Sequence, residues 1–418
     1  MTSKTIALAL PLAAVLVAGV ATTPAAAQTA PWRSAWGTSH QAPEHTDWYP
    51  NWSEAGFSNH SVRQVIRVGA AGSELRVRLS NAYGTAPLRL TGASVARSAD
   101  GAAVKPESVR TLRFNGSGAV TIPAGRELSS DALDLPVTAL EQLTVTLYFE
   151  GPTGPATFHN SAITTTYRAT GNHLRDASAD AFGEQSYSWY YLAGIDVKSS
   201  GPAGRRGAVV AFGDSLTDGF GSTPGADRRY TDALTGRFAA TGRPRAVLNA
   251  GISGNKLLAD TCYGESGVDR FRRDALARPD VRTVIVLEGT NDIIQPDRPA
   301  DRCNDPEQKA TAQEIIAGHR QLIREAHSRG IRILGTTLPP YRSEDAAHWT
   351  ERGEGVRTAV NDWIRTSGAY DGVVDLDRAV ADPADPRKIR PEYAAPDYLH
   401  LNDAGYKAMA DTVDLNTL

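Results

Sequence analysis

The chain has 418 residues, of which 41% are hydrophobic and 22% are charged, and its formal net charge is -3. This length is enough for two globular domains rather than one. Because there is no excess of basic residues, we expect neither a nucleic acid nor an anionic membrane as a partner.

The first 27 residues predict a signal peptide. Lys4 supplies a positively charged start, residues 6–21 are apolar, and residues 25–27 form a small-residue cleavage site. A membrane anchor is the alternative, but the apolar span is short for one. We therefore expect a secreted, extracellular protein without a membrane span after the signal is removed.

Residues 31–197 have the pattern of an antiparallel β-sandwich, which we expect to be jelly-roll-like. Short alternating runs, such as 74–79 and 143–148, are separated by Gly, Pro, Asn and Asp. The aromatic residues near the start of this region suggest either a platform for sugar rings or, as we favour, packing of the sandwich. Residues 198–206 are rich in Ser, Gly, Pro and Arg and predict a linker.

From residue 207 to residue 418, apolar strands alternate with helical segments. Strands are predicted at 208–212, 245–248, 281–287, 331–337 and 372–376, and helices at 306–329, 345–366 and 403–411. This alternation predicts an α/β domain of three layers around a doubly wound parallel sheet, of the flavodoxin-like type.

Two distant segments together offer the groups of a nucleophilic catalyst. Ser215 lies in Gly-Asp-Ser-Leu directly after the first predicted strand, where open α/β sheets place their ligands. His400 follows Asp397 by three residues. A serine hydroxyl needs an imidazole to take its proton, and the imidazole needs a partner that holds its tautomer.

Two further polar segments follow the second and third predicted strands. The segment 249–255 contains Gly251 and Gly254, and the segment 289–292 contains Asn291. A glycine N–H and an asparagine amide are suitable donors to the oxygen that becomes negative during acyl transfer. Either glycine is a candidate for this role.

The ordered set of Ser, Gly, Asn and His resembles the SGNH (GDSL-type) hydrolase family over residues 207–418. The resemblance implies a carboxylic ester hydrolase without a cofactor, in which Ser215 is the nucleophile, His400 the general base and Asp397 the orienting acid. It also implies an oxyanion hole formed by the backbone N–H groups of Ser215 and Gly254 and the side chain of Asn291. The serine does not lie in a Gly-x-Ser-x-Gly elbow, which argues against the α/β-hydrolase fold.

An SGNH region that follows a β-rich region resembles a subgroup of exported bacterial esterases similar to xylan-type acetylesterases. The resemblance implies an ester substrate, and we expect acetyl or feruloyl groups on carbohydrate. Because no long apolar stretch lies near the four segments, we expect short acyl groups to be preferred. A secreted lipase, phospholipase or arylesterase is one alternative, and a non-catalytic carbohydrate-binding protein is another.

The chain has two cysteines, Cys262 and Cys303. In an oxidising compartment such a pair is expected to form a disulfide, and two unpaired thiols are the alternative. We expect no metal site, because neither cysteine has a histidine or a second cysteine at ligand spacing.

Overall fold

The computed structural model of the chain describes residues 1–2, 32–45, 49–198, 207–343 and 348–418. Apart from residues 1–2 and 198, the predicted signal peptide and the predicted linker lie outside the described residues. In the part of the chain that is described, no helix combines the length and the apolar character needed to cross a membrane.

The amino-terminal part, residues 32–198, is built from strands. They are β1 Trp32–Gly37, β2 His60–Arg67, β3 Gly72–Ser80, β4 Leu88–Leu90, β5 Gly92–Arg97, β6 Arg110–Thr111, β7 Val120–Ile122, β8 Glu127–Ser129, β9 Leu133–Val137, β10 Gln142–Phe149, β11 Phe158–His159, β12 Thr166–Thr170, β13 Glu184–Ser186, β14 Trp189–Tyr190 and β15 Leu192–Lys198.

Two antiparallel sheets make up most of this part. One has the order β13-β12-β2-β10-β5-β6, and the other has the order β1-β15-β3-β8, with β9 also paired to β3. Buried apolar side chains from both sheets, such as Val62 and Val145 from the first and Val77 and Ile195 from the second, belong to one cluster. An antiparallel, β-rich amino-terminal region is therefore present, and its jelly-roll-like character stays a prediction.

The aromatic side chains of the amino-terminal part pack against one another. The rings of Trp36 and Trp189 meet edge to face with their centroids 4.8 Å apart. Trp52 stacks on Tyr190 at 5.6 Å, and Phe57 is buried beside them. These contacts favour the packing interpretation for these rings over a platform for sugars.

The carboxyl-terminal part, residues 207–418, alternates strands and helices. The strands are β16 Ala208–Gly213, β17 Val247–Gly251, β18 Val281–Leu287, β19 Arg332–Thr336 and β20 Gly372–Val374. The helices are α1 Ser215–Asp218, α2 Tyr230–Ala240, α3 Gly267–Phe271, α4 Thr290–Ile294, α5 Ala312–His327, α6 Glu351–Thr366, α7 Leu376–Val380 and α8 Asp403–Thr412.

The five strands of this part form one parallel sheet in the order β17-β16-β18-β19-β20. β16 is flanked by β17 and β18, and Gly213 at its end lies in register with Gly251 and Leu287. The three segments that follow these strands therefore emerge side by side at the carboxyl edge of the sheet, as expected for a ligand site in an open α/β fold.

Three element boundaries differ from the sequence-based expectation for local reasons. Helix α6 begins at Glu351 rather than at residue 345, because Thr350 is its N-cap. Helix α5 begins at Ala312 rather than at residue 306, because Thr311 and Glu314 form a capping box that starts the helix there. Strand β17 lies later than the predicted 245–248 and extends to Gly251. Gly251 is therefore part of the sheet and not of the loop that follows it.

Each part has its own buried apolar cluster, one drawn from residues 35–197 and the other from residues 208–413. Ala70 packs against both clusters. The exact domain boundaries stay a prediction.

Candidate active site

The structure brings Ser215, His400 and Asp397 into one hydrogen-bonded chain. His400 Nε2 lies 2.8 Å from Ser215 Oγ, and His400 Nδ1 lies 2.6 Å from Asp397 Oδ2. A carboxylate oxygen only accepts, so the Nδ1 hydrogen faces Asp397 and Nε2 is left to accept from the serine hydroxyl. This is the geometry needed to take a proton from a nucleophile.

Asp397 is held by its own loop. Its Oδ1 accepts the backbone N–H groups of Leu399 at 3.0 Å and His400 at 2.9 Å. Burial alone would raise the pKa of Asp397, but the hydrogen bond and charge of His400, with these backbone donors, bring the pKa below its usual value. Asp397 is therefore ionised and pre-oriented. Between the two site residues, Tyr398 adopts a φ of 55°, an uncommon conformation for a residue with a side chain.

A glycine after α1 permits the close approach of the loop that carries His400. A Cβ on Gly221 would lie 2.7 Å from the carbonyl oxygen of Leu401 and 3.3 Å from His400 Cβ. Gly221 has a φ of 94°, which other residues rarely adopt. On the other side of the loop, Asn402 caps α8 by accepting the N–H groups of Ala404 and Gly405.

Ser215 is the first residue of α1, and Asp214 before it is the N-cap. Asp214 Oδ1 accepts the N–H of Leu216 at 3.0 Å. Ser215 therefore sits at the positive end of a short helical turn, with its side chain 9% exposed. In the described part of the chain, its backbone N–H has no protein acceptor.

The structure distinguishes between Gly251 and Gly254, the two glycines that the sequence offered as candidate oxyanion donors. The N–H of Gly251 is engaged by Asn249 Oδ1 at 2.9 Å, inside the strand. Gly254 lines the cavity at Ser215, and its N–H has no acceptor among the described residues. Gly254 has a φ of 82°, and a Cβ there would lie 2.5 Å from the ring of Tyr263. Gly254 thus has the geometry of a donor into the cavity, and Gly251 does not.

Asn291 lies in α4 and also lines the cavity. Its Nδ2 donates to the carbonyl oxygen of Asn255 at 2.9 Å and lies 3.5 Å from Asp214 Oδ2. The amide thereby connects the segments after β16, β17 and β18. Its second hydrogen is only weakly engaged, so it remains available to a ligand oxygen.

Arg270, which the sequence reasoning did not single out, lies fully buried beneath these segments. Its guanidinium donates to the carbonyl oxygens of Gly213 and Ala250 at 2.8 Å each, and to Asn255 Oδ1 at 2.7 Å. It also donates to Glu288 Oε1 at 3.1 Å. A planar guanidinium with five donors suits such a junction. Its burial could not be read from the sequence, because charged residues are seldom fully buried.

Three buried carboxyl groups lie just after the ends of β16 and β18, in the segments next to Arg270. Burial raises the pKa of Asp214 to about 7, against the hydrogen bond from Leu216. Burial also raises the pKa of Asp292 to about 6, partly offset by the backbone N–H groups of Leu257 and Leu258 that its oxygens accept. Burial and the charge of Asp214 raise the pKa of Glu288 well above its usual value. Asp292 thus holds the loop after β17.

The cavity over Ser215 has a volume of about 280 Å³. Its apolar wall comes from Phe220, Tyr263 and Leu399, and its polar wall from Gln295, Arg298 and His348. The Phe220 ring packs against His400 with the centroids 4.7 Å apart. An apolar site with a few polar groups around a hydroxyl–imidazole pair is suited to the transfer of a small acyl group.

A disulfide joins Cys262 to Cys303, as the sequence predicted. It connects the loop that contains Tyr263 to the loop that follows Arg298, and both of these residues line the cavity. The disulfide therefore braces two walls of the site. Among the described residues, no group of three or more His, Cys, Asp or Glu is arranged to hold a metal ion.

Comparison with known proteins places the family resemblance on the same residues. Residues 211–408 match the model of the GDSL-like lipase/acylhydrolase family. This range contains Ser215, Gly254, Asn291, Asp397 and His400. A search of curated proteins found no match.

Several solved structures are similar to about half of this chain. A lipase/acylhydrolase from Enterococcus faecalis is 22% identical, over 49% of this chain and 92% of that chain, with a TM-score of 0.36. An aryl esterase from M. smegmatis is 17% identical, over 49% and 94%, with a TM-score of 0.38. A carbohydrate acetylesterase family member from Sinorhizobium meliloti is 17% identical, over 49% and 94%, with a TM-score of 0.38. At these scores we infer no substrate from them.

Proposed function

We propose that this carboxylic ester hydrolase, whose residues 211–408 form a GDSL-like lipase/acylhydrolase domain, works through an acyl-enzyme on Ser215. The observation that carries the proposal is the chain from Ser215 Oγ through His400 to Asp397, at 2.8 Å and 2.6 Å, on the wall of a cavity of about 280 Å³. Each member of that chain is placed for one chemical role.

In the first half of the reaction, Ser215 Oγ attacks the ester carbonyl carbon while His400 Nε2 takes the hydroxyl proton. Asp397 stabilises the imidazolium and holds the ring. The carbonyl oxygen, now negative, accepts from the N–H groups of Ser215 and Gly254 and from Asn291. The C–O bond then breaks, and the imidazolium gives its proton to the departing alcohol.

In the second half, a water molecule attacks the acyl carbon of the Ser215 ester. His400 takes a proton from the water, and the same three donors stabilise the second oxyanion. Collapse of this intermediate releases the carboxylic acid and returns the proton to Ser215. The net reaction is hydrolysis of one ester bond, with no cofactor.

We further propose short acyl or aromatic acyl groups, acetyl or feruloyl, on carbohydrate as the substrate of a secreted enzyme. The size of the cavity supports the short acyl part, since about 280 Å³ is below the range of about 300–1,000 Å³ typical for drug-sized ligands. The rings of Phe220 and Tyr263 suit an aromatic group on either the acyl or the alcohol side of the ester, which keeps an arylesterase as the second candidate. Secretion rests on the signal peptide predicted at residues 1–27.

The test is the rate of hydrolysis of p-nitrophenyl esters from acetate to palmitate, with release of acetate or ferulate from xylan measured beside it. We expect kcat/KM to fall with acyl length and xylan to be deacylated. A preference that rises through long chains, without release from xylan, would indicate a lipase instead. An arylesterase would cleave the aryl esters and leave xylan untouched.

The mechanism itself is tested by Ser215→Ala, with Ser328→Ala as the matched control. The hydroxyl of Ser328 donates to the carbonyl oxygen of Glu325 at the end of α5, outside the cavity. Ser215→Ala is expected to fold like the wild type and to lose ester turnover, whereas Ser328→Ala keeps it. Full activity of Ser215→Ala contradicts the acyl-enzyme mechanism. Inactive wild-type protein on every ester favours a non-catalytic carbohydrate-binding role.

A further inference from the structure

A histidine of the amino-terminal part contacts the carboxyl-terminal part close to the loop that contains Ser253 and Gly254. His159 lies on β11 and is 1% exposed. Its Nε2 is 3.0 Å from Oδ1 of Asp218, whose side chain is 2% exposed. Because an aspartate oxygen offers only an acceptor, the hydrogen of this contact lies on Nε2. The imidazole ring also stacks on the ring of Trp189, with the two centroids 5.5 Å apart.

Asp218 also forms hydrogen bonds with the loop after β17. Its Oδ2 accepts the backbone N–H of Ser253 at 3.0 Å and the hydroxyl of Ser253 at 2.7 Å. Ser253 directly precedes Gly254, which lines the cavity and whose N–H has no acceptor among the described residues. Hydrogen bonds to a buried carboxylate are short and strong, so the position of Asp218 determines the position of the peptide that joins Ser253 to Gly254.

A second contact from the amino-terminal part supports the same loop. Gln41 Oε1 accepts the backbone N–H of Asn160 at 3.1 Å, next to His159. Gln41 Nε2 donates to the carbonyl oxygen of Tyr263 at 2.6 Å. The Tyr263 ring occupies the space that a Cβ on Gly254 would need. The two contacts therefore hold Gly254 from two sides.

We propose that His159 is a positioning residue for ester hydrolysis, acting through Asp218 and Ser253 on the oxyanion donor Gly254. The catalytic centre is then complete only when the amino-terminal part is docked against the hydrolase part. This inference rests on the proposed function. It gives the β-rich part a role in the chemical step, independent of any carbohydrate that it binds.

The test compares His159→Gln with His159→Leu in the full chain. A glutamine amide can place its Nε2 near the position of the histidine Nε2 and so keep a donor to Asp218, whereas leucine cannot. We expect His159→Leu to lower kcat for p-nitrophenyl acetate by about 10- to 100-fold, the range found when a supporting hydrogen bond is lost behind a functional group. KM is expected to change by about twofold or less, because the oxyanion donors act mainly in the transition state. His159→Gln is expected to lose less kcat than His159→Leu, with a decrease in log kcat that is smaller by at least a third.

The control is Arg278→Met, which breaks another contact between the two parts. Arg278 Nη1 lies 3.3 Å from Oε2 of Glu127, and neither residue lines the cavity. If His159 served only to join the two parts, Arg278→Met and His159→Leu would lower kcat equally when they lower thermal stability equally. We expect kcat of Arg278→Met to stay within about twofold of the wild type. Equal losses in the two variants, or an unchanged kcat in His159→Leu, would overturn the inference.

A variant of Gln41 keeps the inference testable if His159→Leu does not fold. Gln41→Met removes the donor to Tyr263 and keeps the volume of the side chain. It is expected to lower kcat with little change in KM, and an unchanged kcat would contradict the positioning role. Failure of the proposed function is a separate outcome, since it appears as full activity of Ser215→Ala whatever the His159 variants do.

Discussion

Replacement of Arg270 by methionine is expected to be among the most destabilising single changes in the carboxyl-terminal part. The guanidinium is fully buried and lies 4.1 Å from the centroid of the Phe212 ring. It is the hydrogen-bond donor for the carbonyl oxygens of Gly213 and Ala250 and for the side-chain oxygen of Asn255. Methionine fills much of the volume and supplies no donor.

The magnitude follows from the acceptors that are left behind. Each buried acceptor without a partner costs about 1–3 kcal/mol. In Arg270→Met the carbonyl oxygen of Gly213 keeps the N–H of Ile252, whereas the carbonyl oxygen of Ala250 and Asn255 Oδ1 lose the hydrogen bonds that Arg270 donates. Glu288 also loses a partner, but its pKa is already raised by burial, so it takes up a proton instead of staying charged. Because these losses overlap in one junction, we expect about 2–6 kcal/mol in total. That is a large part of the stability of about 5–15 kcal/mol typical of proteins.

The assay is urea unfolding followed by tryptophan fluorescence, with Arg272→Met as the control. Arg272 is the exposed neighbour at the end of α3, and its change is expected to shift stability by about 0.5 kcal/mol or less. Arg270→Lys is expected to recover less than half of the loss, because a single ammonium group cannot reproduce the planar fork of donors. A loss below about 1 kcal/mol in Arg270→Met, or one equal to that of Arg272→Met, would refute this account of the junction.

Four further changes test the site and its supports. Asn291→Ala is expected to lower kcat by roughly 10²–10³-fold with a smaller change in KM; a loss confined to KM would make it a ground-state contact. Asp397→Asn is expected to reduce kcat by up to about 10⁴-fold without abolishing it, since the imidazole loses only its orienting carboxylate; unchanged kcat would show that another group holds the ring. Burial raises the pKa of Asp214 from 3.8 to about 7, so its contribution to stability is lost as the pH rises from about 4 through about 7. Relative to the wild type, Asp214→Asn should therefore gain stability over that range, by about 1.4 kcal/mol for each unit of raised pKa; a flat difference between the two melting curves across pH would contradict the raised pKa. Reduction of the Cys262–Cys303 disulfide, which spans 41 residues, is expected to cost about 4 kcal/mol in the chain-entropy model, and melting temperatures that agree with and without reductant would argue against it.

The order of strands and polar segments was readable from the sequence, because each buried parallel strand is a short apolar run and each polar segment directly follows one. The runs at 208–212 and 281–287 correspond closely to β16 and β18. Ser215 and Asn291 could be assigned to one edge of the sheet for that reason alone. The disulfide was predicted from the count of two cysteines.

Packing decided which of the two candidate glycines faces the cavity. Gly251 and Gly254 belong to the same segment of the sequence, but only the extension of β17 engages the N–H of Gly251 with Asn249. The burial of Arg270 could not be predicted either, because four of its acceptors come from segments that are adjacent only in the folded sheet. These acceptors lie in Gly213, Ala250, Asn255 and Glu288. Charged residues are seldom fully buried, so composition gave no reason to expect one there.

The contact between His159 and Asp218 is the clearest case of a feature that the tertiary structure alone decides. A histidine at the end of a two-residue strand has no local pattern that distinguishes it from other histidines. Its partner lies in a different part of the chain, and their 3.0 Å contact exists only because two apolar clusters with separate sequence origins pack against each other. Local periodicity reports which face of an element is buried, whereas the partner across an interface depends on the shape of both surfaces, and that information is spread over the whole chain.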